Sequence, residues 1–439
     1  MYVRLFFKNF GSIGGSVMSE KKVKSSEICG TTAVKDFNWY LKAAEEGDAA
    51  AQNEVGDFYY NGRDGVEQSF EEAFKWWMKS AKQGFAEAQK NVGWCYFYGL
   101  GVKENKKESV KWYKKAAEQG NAKAQRNLGL CYGFGYGVKE NKKTAFEWYK
   151  MAAEQGFAPA QRNLGLCYVF GDGVKEDKKE AVKWYKKAAE QGFAPAQRDL
   201  ALCYLLGDGV KENKKTAFKW YMKAAEQGEV ISQFKVGCCY DFGEGVKENK
   251  KEAIKWYEKA AEQNFIESQF TLGCCYRNGN GVEQNYNMAF YWWLKAAEQG
   301  DVRSQLNVGG CYNCGSGVAK NQKKAFEWYL KAAEQNDVYA QFSVGNCYYS
   351  GRGVKEDKEK AVEWYLKAAE QNNIPAQKML YSCYATGTGT EIDLRKSAFW
   401  LMCAAQGGDE EAQKMVTALM LQENQLINIF HKITDDDDD

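Results

Sequence analysis

The most reactive side chains in this sequence are 14 cysteines and one histidine, His431. Nine of the cysteines recur at intervals of 36 residues: Cys95, Cys131, Cys167, Cys203, Cys239, Cys275, Cys311, Cys347 and Cys383. Such a series could form disulfides or bind metal. However, its members are expected one helix pair apart, on the order of 10 Å or more, whereas disulfide-bonded Cα atoms lie under about 7 Å apart. We therefore predict buried, free thiols, which suit a reducing compartment such as the cytoplasm.

Other motifs for catalysis or metal binding are weak. Cys311 and Cys314 have the spacing of a zinc or redox half-site, but no second pair and no histidine lies near them in sequence. A single histidine also leaves no Ser-His-Asp or Cys-His arrangement. The Gly-x-Gly segments, such as Gly99-x-Gly101, do not follow a strand and open a helix, so they are turns rather than phosphate loops. The sequence predicts no catalytic, metal or cofactor site.

Length and composition favour an array of small units over one large core. The chain has 439 residues, 43 of them Gly, 3 of them Pro and 15% aromatic, which is too rich in core-forming side chains for disorder. Its 60 basic and 58 acidic residues give a net charge of +2, so no whole-chain field attracts nucleic acid. No apolar run approaches the roughly 18 residues of a membrane span. We expect a monomer that neither binds nucleic acid nor inserts into a membrane.

An internal repeat of 36 residues runs through most of the chain. A glutamine marks position 1 of each unit: Gln52, Gln89, Gln125, Gln161, Gln197, Gln233, Gln269, Gln305, Gln341, Gln377 and Gln413. The first interval is 37 residues, because the loop Gly62-Arg63-Asp64-Gly65 is one residue longer than Gly-x-Gly. Ten complete units therefore extend from Gln52 to Ala412, with a half-unit at each end.

Each unit contains the signals of two helices. Helix A ends at Gly-x-Gly, as at Gly135, because glycine tolerates positive φ. Helix B begins after a capping Asn or Asp, such as Asn141, and ends at a Gly or Asn, such as Gly156 or Asn336. The chain's prolines all fall in the first turn of helix A, where no hydrogen bond is lost: Pro159, Pro195 and Pro375.

Helical periodicity predicts which faces are buried. Helix A buries its invariant residues, including Gln125, Leu128 and Gly129, and the glycine indicates close approach of another helix. Ala201 and Tyr381 replace that glycine, and there we expect looser packing. The inner face of helix B carries alanines, a tyrosine and a recurring tryptophan: Trp39, Trp76, Trp112, Trp148, Trp184, Trp220, Trp256, Trp292, Trp328, Trp364 and Trp400.

The chain is predicted to have three segments. Residues 1–32 form a flexible leader, residues 33–430 the repeat array, and residues 431–439 an acidic, disordered tail. Residues 1–19 contain basic but no acidic side chains, which is a feature of transit peptides. The alternative, that the ordered chain starts after Met18 and the leader is unstructured, is the interpretation that we adopt.

The unit resembles the Sel1-like repeat, a relative of the tetratricopeptide repeat. The resemblance rests on the patterns A-x-A-Q-x-x-L-G, G-x-G-V and K-A-x-x-W-Y-x-K-A-A-E-Q-G, and covers Val34 to about Leu421. It implies an all-α fold, a right-handed αα superhelical solenoid of antiparallel helix pairs, used as an adaptor in signalling, quality control and host interaction. Secreted members that resemble penicillin-binding enzymes carry two disulfide-bonded cysteines per unit, and the corresponding segments AAEQGNAKAQ and AAEQGFAPAQ contain none.

The candidate binding site lies where the units differ, because the recurring residues hold neighbouring units together. Positions 2, 6, 9 and 10 of helix A lie opposite the core, and in the first half of the chain they are apolar: Trp94, Phe97, Tyr98, Leu130, Phe134, Leu166, Phe170, Leu202, Leu205, Leu206, Phe234 and Phe242. Later units are polar there, as at Asn278 and Ser350. By analogy with related solenoids, this strip lines a concave surface that binds a peptide or helix. Alternatively, superhelical curvature buries it against adjacent A helices.

The sequence thus favours a non-enzymatic scaffold or adaptor that binds a protein or peptide along its concave helix-A face. The alternatives are a Sel1-like hydrolase of the β-lactamase-like kind and a secreted host-interaction effector. A hydrolase needs a catalytic constellation, and the uniform spacing of the units leaves no insertion to hold one.

Overall fold

The computed structural model of the protein describes residues 36–421. All regular secondary structure in that range is helical, with no strand between residues 36 and 421, which confirms the predicted all-α class. The chain divides at residues 112 and 113 into two compact units. Within each unit, successive helices pack against one another as a repeating series of helix pairs.

Two kinds of helix alternate along the described chain. The A helices are α2 (Ala49–Asn61), α4 (Ala86–Tyr98), α6 (Ala122–Phe134), α8 (Ala158–Phe170), α10 (Ala194–Leu206), α12 (Val230–Phe242), α14 (Ile266–Asn278), α16 (Val302–Cys314), α18 (Val338–Ser350) and α20 (Ile374–Thr386). The B helices are α1 (Phe37–Glu45), α3 (Phe70–Lys82), α5 (Lys106–Glu118), α7 (Lys142–Glu154), α9 (Lys178–Glu190), α11 (Lys214–Glu226), α13 (Lys250–Glu262), α15 (Tyr286–Glu298), α17 (Gln322–Glu334), α19 (Lys358–Glu370) and α21 (Leu394–Gln406).

Helix boundaries follow the predicted capping residues. Asn141 precedes α7, and its side chain accepts a hydrogen bond from the backbone N–H of Thr144. Gly135 follows α6 in the left-handed conformation, at φ 72°. At the end of α17 the same conformation falls on Asn336, at φ 69°. All three prolines lie in the first turn of an A helix, as predicted.

The mid-helix glycine of an A helix makes room for an aromatic ring of the following B helix. A Cβ atom added to Gly129 would lie 2.6 Å from the ring of Tyr149, well inside van der Waals contact. In two units a tryptophan, Trp77 or Trp293, takes the place of that tyrosine. The close approach predicted from the glycine is therefore confirmed, and these two tryptophans are explained by it.

The expectation of looser packing is wrong at Ala201. Ala201 and Tyr221 are both buried in one apolar cluster, so the extra methyl group is accommodated without exposing the ring. In the last complete unit the large and small partners are exchanged. Tyr381 stands in the glycine position, and it packs against a cluster that contains Leu401 in place of the usual aromatic residue.

The glutamine at position 1 ties adjacent helices together through both ends of its amide. Gln125 Nε2 donates to the carbonyl oxygen of Ala117 at 3.1 Å, and Gln125 Oε1 accepts from Gln155 Nε2 at 2.7 Å. We call this Gln–Gln bond a rung, and equivalent rungs of 2.7–2.9 Å recur along the chain. The last complete unit lacks one because Gly407 replaces the donor, and the buried Oε1 of Gln377 has no partner.

The recurring tryptophan of the B helices lies at the edge of the core rather than inside it. Most of these side chains are half-buried, and a lysine three residues later covers the ring. Lys187 Nζ lies 3.9 Å from the ring centroid of Trp184, and Lys223 Nζ lies 4.3 Å from that of Trp220. Such cation–π contacts are worth about 0.5–1 kcal/mol at exposed sites. The tryptophan ring thus covers the edge of the core, and the lysine covers the outer face of the ring.

Some predicted segments lie outside the described residues. These are the leader at 1–32 and the acidic tail at 431–439, which includes His431. A final helical stretch begins at residue 410 and continues to residue 421, where the described chain ends. Between residues 36 and 421, no helix combines the length and the apolar character needed to span a bilayer.

Candidate functional site

Four of the predicted binding residues are exposed, and all four occupy position 10, in the last turn of an A helix. The exposed fraction of the residue is 69% for Phe242, 54% for Leu206, 50% for Phe134 and 40% for Tyr98. Large apolar side chains at these fractions gain only part of the free energy of burial, because 40–69% of their surface stays in water. Their place on the A helices therefore needs an explanation other than the core.

The other predicted binding residues are half-buried. Leu130 packs against the cluster that contains Tyr149, and the ring of Phe234 lies 5.4 Å from that of Phe265. The two interpretations of the strip thus apply to different residues: Tyr98, Phe134, Leu206 and Phe242 are exposed, whereas the others, including Phe170 at position 10, are partly within the core. A binding role stays a prediction for all of them, including this half-buried set: Trp94, Phe97, Leu130, Leu166, Phe170, Leu202, Leu205 and Phe234.

In the first compact unit, three aromatic side chains of α4 form one patch. The ring centroids of Trp94 and Tyr98 are 4.3 Å apart, and those of Phe97 and Tyr98 are 4.9 Å apart. Lys106 Nζ lies 5.3 Å from the Phe97 ring centroid. The patch therefore combines aromatic rings in tilted and edge-to-face contact with one ammonium group at its border.

In the second compact unit, lysines border the exposed aromatic residues. Lys142 Nζ lies 5.6 Å from the ring centroid of Phe134, and Lys250 Nζ lies at the same distance from that of Phe242. The Phe134 ring also stacks on Tyr136, with the ring planes 23° apart. Each aromatic face is thus held in a defined orientation while remaining open to solvent on part of its surface.

An arginine series at position 2, which the sequence reasoning did not identify, links three successive A helices of the second unit. Arg126 donates to Asn163 at 3.2 Å, and Arg162 Nε donates to Asp199 at 2.6 Å. Arg198 also donates to Asp199, at 2.9 Å. Burial favours a higher pKa for Asp199, but the two guanidinium groups outweigh it and hold the pKa below its ordinary value. The recurrence of Arg at one position was the available sequence signal.

The 36-residue units also match a known protein family, one unit after another. A family model described as Sel1 repeat matches residues 37–48, 49–85, 86–121, 122–157, 158–193, 194–229, 230–265, 266–301, 302–337, 338–373 and 376–409. The chain belongs to the Sel1 repeat family. No curated protein sequence gives a significant match to it.

Two solved structures resemble this Sel1 repeat protein at 33% sequence identity. One is c5321, described as a protective antigen of uropathogenic Escherichia coli strains with an SLR fold, at a TM-score of 0.59 over 89% of this chain and 93% of that one. The other is a Sel1 repeat protein from Oxalobacter formigenes, at a TM-score of 0.55 over 73% of this chain and 96% of that one. Both support the solenoid of helix pairs.

The recurring cysteines of the Sel1 repeats are buried and free, as predicted. Burial raises the pKa of Cys167 to about 12, so this thiol stays protonated at neutral pH and is a poor nucleophile. Cys311 is buried whereas Cys314, on the same helix, is exposed. Within residues 36–421, no group of three His, Cys, Asp or Glu side chains is placed to hold a metal ion.

Proposed function

We propose that this Sel1 repeat protein is a non-enzymatic scaffold that binds a peptide or protein segment on the exposed apolar residues of its A helices. The observation that carries the proposal is the contrast at position 10. Tyr98, Phe134, Leu206 and Phe242 are large, apolar and exposed, whereas the equivalent residues of later units, such as Ser350, are polar. The repeat therefore folds without apolar groups at this position, so they serve another purpose.

The type of partner follows from the shape and spacing of these groups. Within the second compact unit, Leu206 and Phe242 are exposed on the successive A helices α10 and α12, and the axes of neighbouring packed helices are typically 8–10 Å apart. A linear segment that places an apolar side chain about every 10 Å can contact successive helices, and aromatic-lined grooves commonly bind such segments. Buried, free thiols further support a reducing compartment such as the cytoplasm, and we propose that the scaffold acts there as a monomer.

The proposal is tested with a phage-displayed library of random linear peptides selected on the full chain. Binders are then measured by fluorescence anisotropy against a variant with Tyr98, Phe134 and Phe242 changed to Ser. We expect this variant to bind at least about tenfold more weakly, since each lost aromatic contact is worth about a kilocalorie or more. The matched control changes Met151 and Tyr291 to Ser. These residues are 44% and 43% exposed on B helices, and the control should bind like the parent protein.

Two results would contradict the scaffold. One is equal affinity for the triple variant and the control, which would remove the A-helix surface from binding. The other is hydrolase turnover by the purified chain that a single substitution abolishes, because this would restore the enzyme interpretation. Thermal unfolding of each variant shows whether a loss of affinity reflects lost structure instead.

A further inference from the structure

In the first compact unit, a carboxylate stands at position 6 of helix α2, where the next A helices carry apolar residues. Position 6 is Trp94 in α4 and Leu130 in α6, but it is Asp57 in α2. Asp57 Oδ1 accepts hydrogen bonds from Trp77 Nε1 at 3.0 Å and from Asn91 Nδ2 at 3.5 Å. Asn91 lies one turn before Trp94 on α4, so the carboxylate contacts the same helix that carries the aromatic patch of Trp94, Phe97 and Tyr98.

The packing of Trp77 does not require this carboxylate. Trp77 Nε1 also donates to the backbone carbonyl oxygen of Asn53 at 3.1 Å, so the indole already has an acceptor. Trp293 occupies the equivalent position in a later unit, and its buried Nε1 has no oxygen to donate to among the described residues. The fold thus tolerates the indole with no acidic partner, and Asp57 is surplus to the core.

The charge of Asp57 is incompletely balanced. Burial raises its pKa to about 6, with a further increase from Glu54 on the same helix. Two cations, Lys90 on α4 and Arg63 in the loop after α2, lower it only in part. Lys90 is already paired with Glu87, and the Arg63 guanidinium lies 4.7 Å from the Phe58 ring centroid.

One carboxylate oxygen is available to a ligand. Trp77 and Asn91 both bond to Oδ1, and no described residue donates a hydrogen bond to Oδ2. Asp57 is half-buried, so Oδ2 is not sealed within the core. An acceptor on the helix pair that carries the exposed Tyr98 and the half-buried Trp94 and Phe97 suits a cationic group with an apolar stem, because the charge meets the carboxylate and the stem covers the open parts of the rings.

We propose that Asp57 binds an Arg or Lys side chain of the peptide partner while adjacent apolar residues of that peptide cover Trp94, Phe97 and Tyr98. This inference rests on the proposed function and specifies the chemistry of its ligand. The positive charge complements Asp57 and Glu54, which face this point with no full counter-charge of their own. A partner that places a basic residue next to apolar ones is therefore preferred over an acidic or wholly apolar one.

The test uses library-selected peptides in pairs, one with its Arg or Lys and one with Gln in its place. We expect Asp57→Asn to weaken binding of the basic peptide at least tenfold and to leave the Gln peptide unchanged. Binding of the basic peptide to the parent protein should also weaken below pH 6, where Asp57 becomes neutral, while the Asn variant shows no such step. The control Glu147→Gln removes an exposed carboxylate from the B helix α7 of the second unit and should not distinguish the two peptides.

The outcomes separate this inference from the proposed function. If Asp57→Asn affects both peptides equally, or neither, the cation site is wrong although the A-helix surface still binds. If no selected peptide depends on Tyr98, Phe134 and Phe242, the scaffold proposal fails and the cation site fails with it. Circular dichroism of Asp57→Asn establishes that the variant is folded, which is expected because the change removes a poorly balanced charge.

Discussion

Removing one rung of the glutamine series tests how the units are joined. Gln155→Ala deletes the donor to Gln125 Oε1, which is 2.7 Å away, while Gln125 itself is only 1% exposed. The substitution leaves no cavity because Gln155 is exposed, so its cost comes from a buried acceptor without a partner. That cost is about 1–3 kcal/mol.

Hydrogen exchange measured by mass spectrometry is the suitable assay, because long repeat arrays do not unfold as a single two-state system. Amides of α6 and α7 should exchange about 5 to 150 times faster in Gln155→Ala, the equivalent of 1–3 kcal/mol. The natural control is Gln377, whose Oε1 already lacks a partner.

Gln377→Leu removes that orphaned acceptor together with the Nε2 bond to the Ala369 carbonyl oxygen. Gln161→Leu removes the equivalent bond to Ala153 and also breaks an intact rung to Gln191, so it should cost more. The difference between the two leucine variants isolates the contribution of the rung from that of the glutamine stem. Equal exchange in both, or an unchanged rate in Gln155→Ala, would refute the reasoning.

Three further substitutions test other features of the fold. Gly165→Ala gains about 1 kcal/mol of helix propensity but places a Cβ atom 2.5 Å from the Tyr185 ring. Hydrogen exchange in α8 and α9 should therefore show a net loss of local stability of up to about 2 kcal/mol; a stabilised variant would contradict the close approach. Asp199→Ala leaves the guanidinium groups of Arg162 and Arg198 without their carboxylate partner, and should lower the stability by about 3–5 kcal/mol. A loss of stability below about 1 kcal/mol would show that the network is dispensable. Asp57→Asn should stabilise the protein by about 1–2 kcal/mol at pH 7.5, because a folded pKa of about 6 lies above the ordinary value of 3.8 and the charged form is disfavoured on folding. This advantage should shrink as the pH falls through 6 and vanish below about pH 4, and a pH-independent difference would contradict the raised pKa.

The helices and their ends were predictable because their signals are local. Asn141 caps a helix through its own backbone neighbours, and Gly135 ends one by adopting a positive φ. The 36-residue period then repeats each signal often enough to fix the register of the whole array. Burial of the recurring cysteines followed from the same helical periodicity.

The hydrogen-bond partners of the recurring residues were not predictable. Each recurring residue has the same sequence separations to the other recurring residues in every unit, so the period alone does not show which of them are in contact. Nothing in the sequence states that Gln125 bonds to Gln155 rather than to another polar group, or that Arg162 reaches Asp199 in the next unit. Ala201 was misjudged because its burial depends on how far the Tyr221 ring can shift.

For the candidate site, the sequence identified the strip on the A helices but did not separate its exposed residues, all at position 10, from the half-buried ones, which include Phe170 at the same position. That separation depends on how closely neighbouring helices approach. The exposed fraction of 69% at Phe242 is therefore a property of the assembled array, and periodicity within one unit does not determine it.

The exchange of sizes between Tyr381 and Leu401 has a consequence for rearranging the array. The residue at the glycine position of an A helix and the residue that packs on it from the following B helix are matched in size, one large and one small. The two helices must therefore be moved together when units are recombined. A recombination joint at a Gly-x-Gly turn would separate the two, bringing Leu against a glycine or a second aromatic ring against Tyr381. A joint between a B helix and the next A helix keeps each pair intact, and chimaeras or deletions made there should retain their fold.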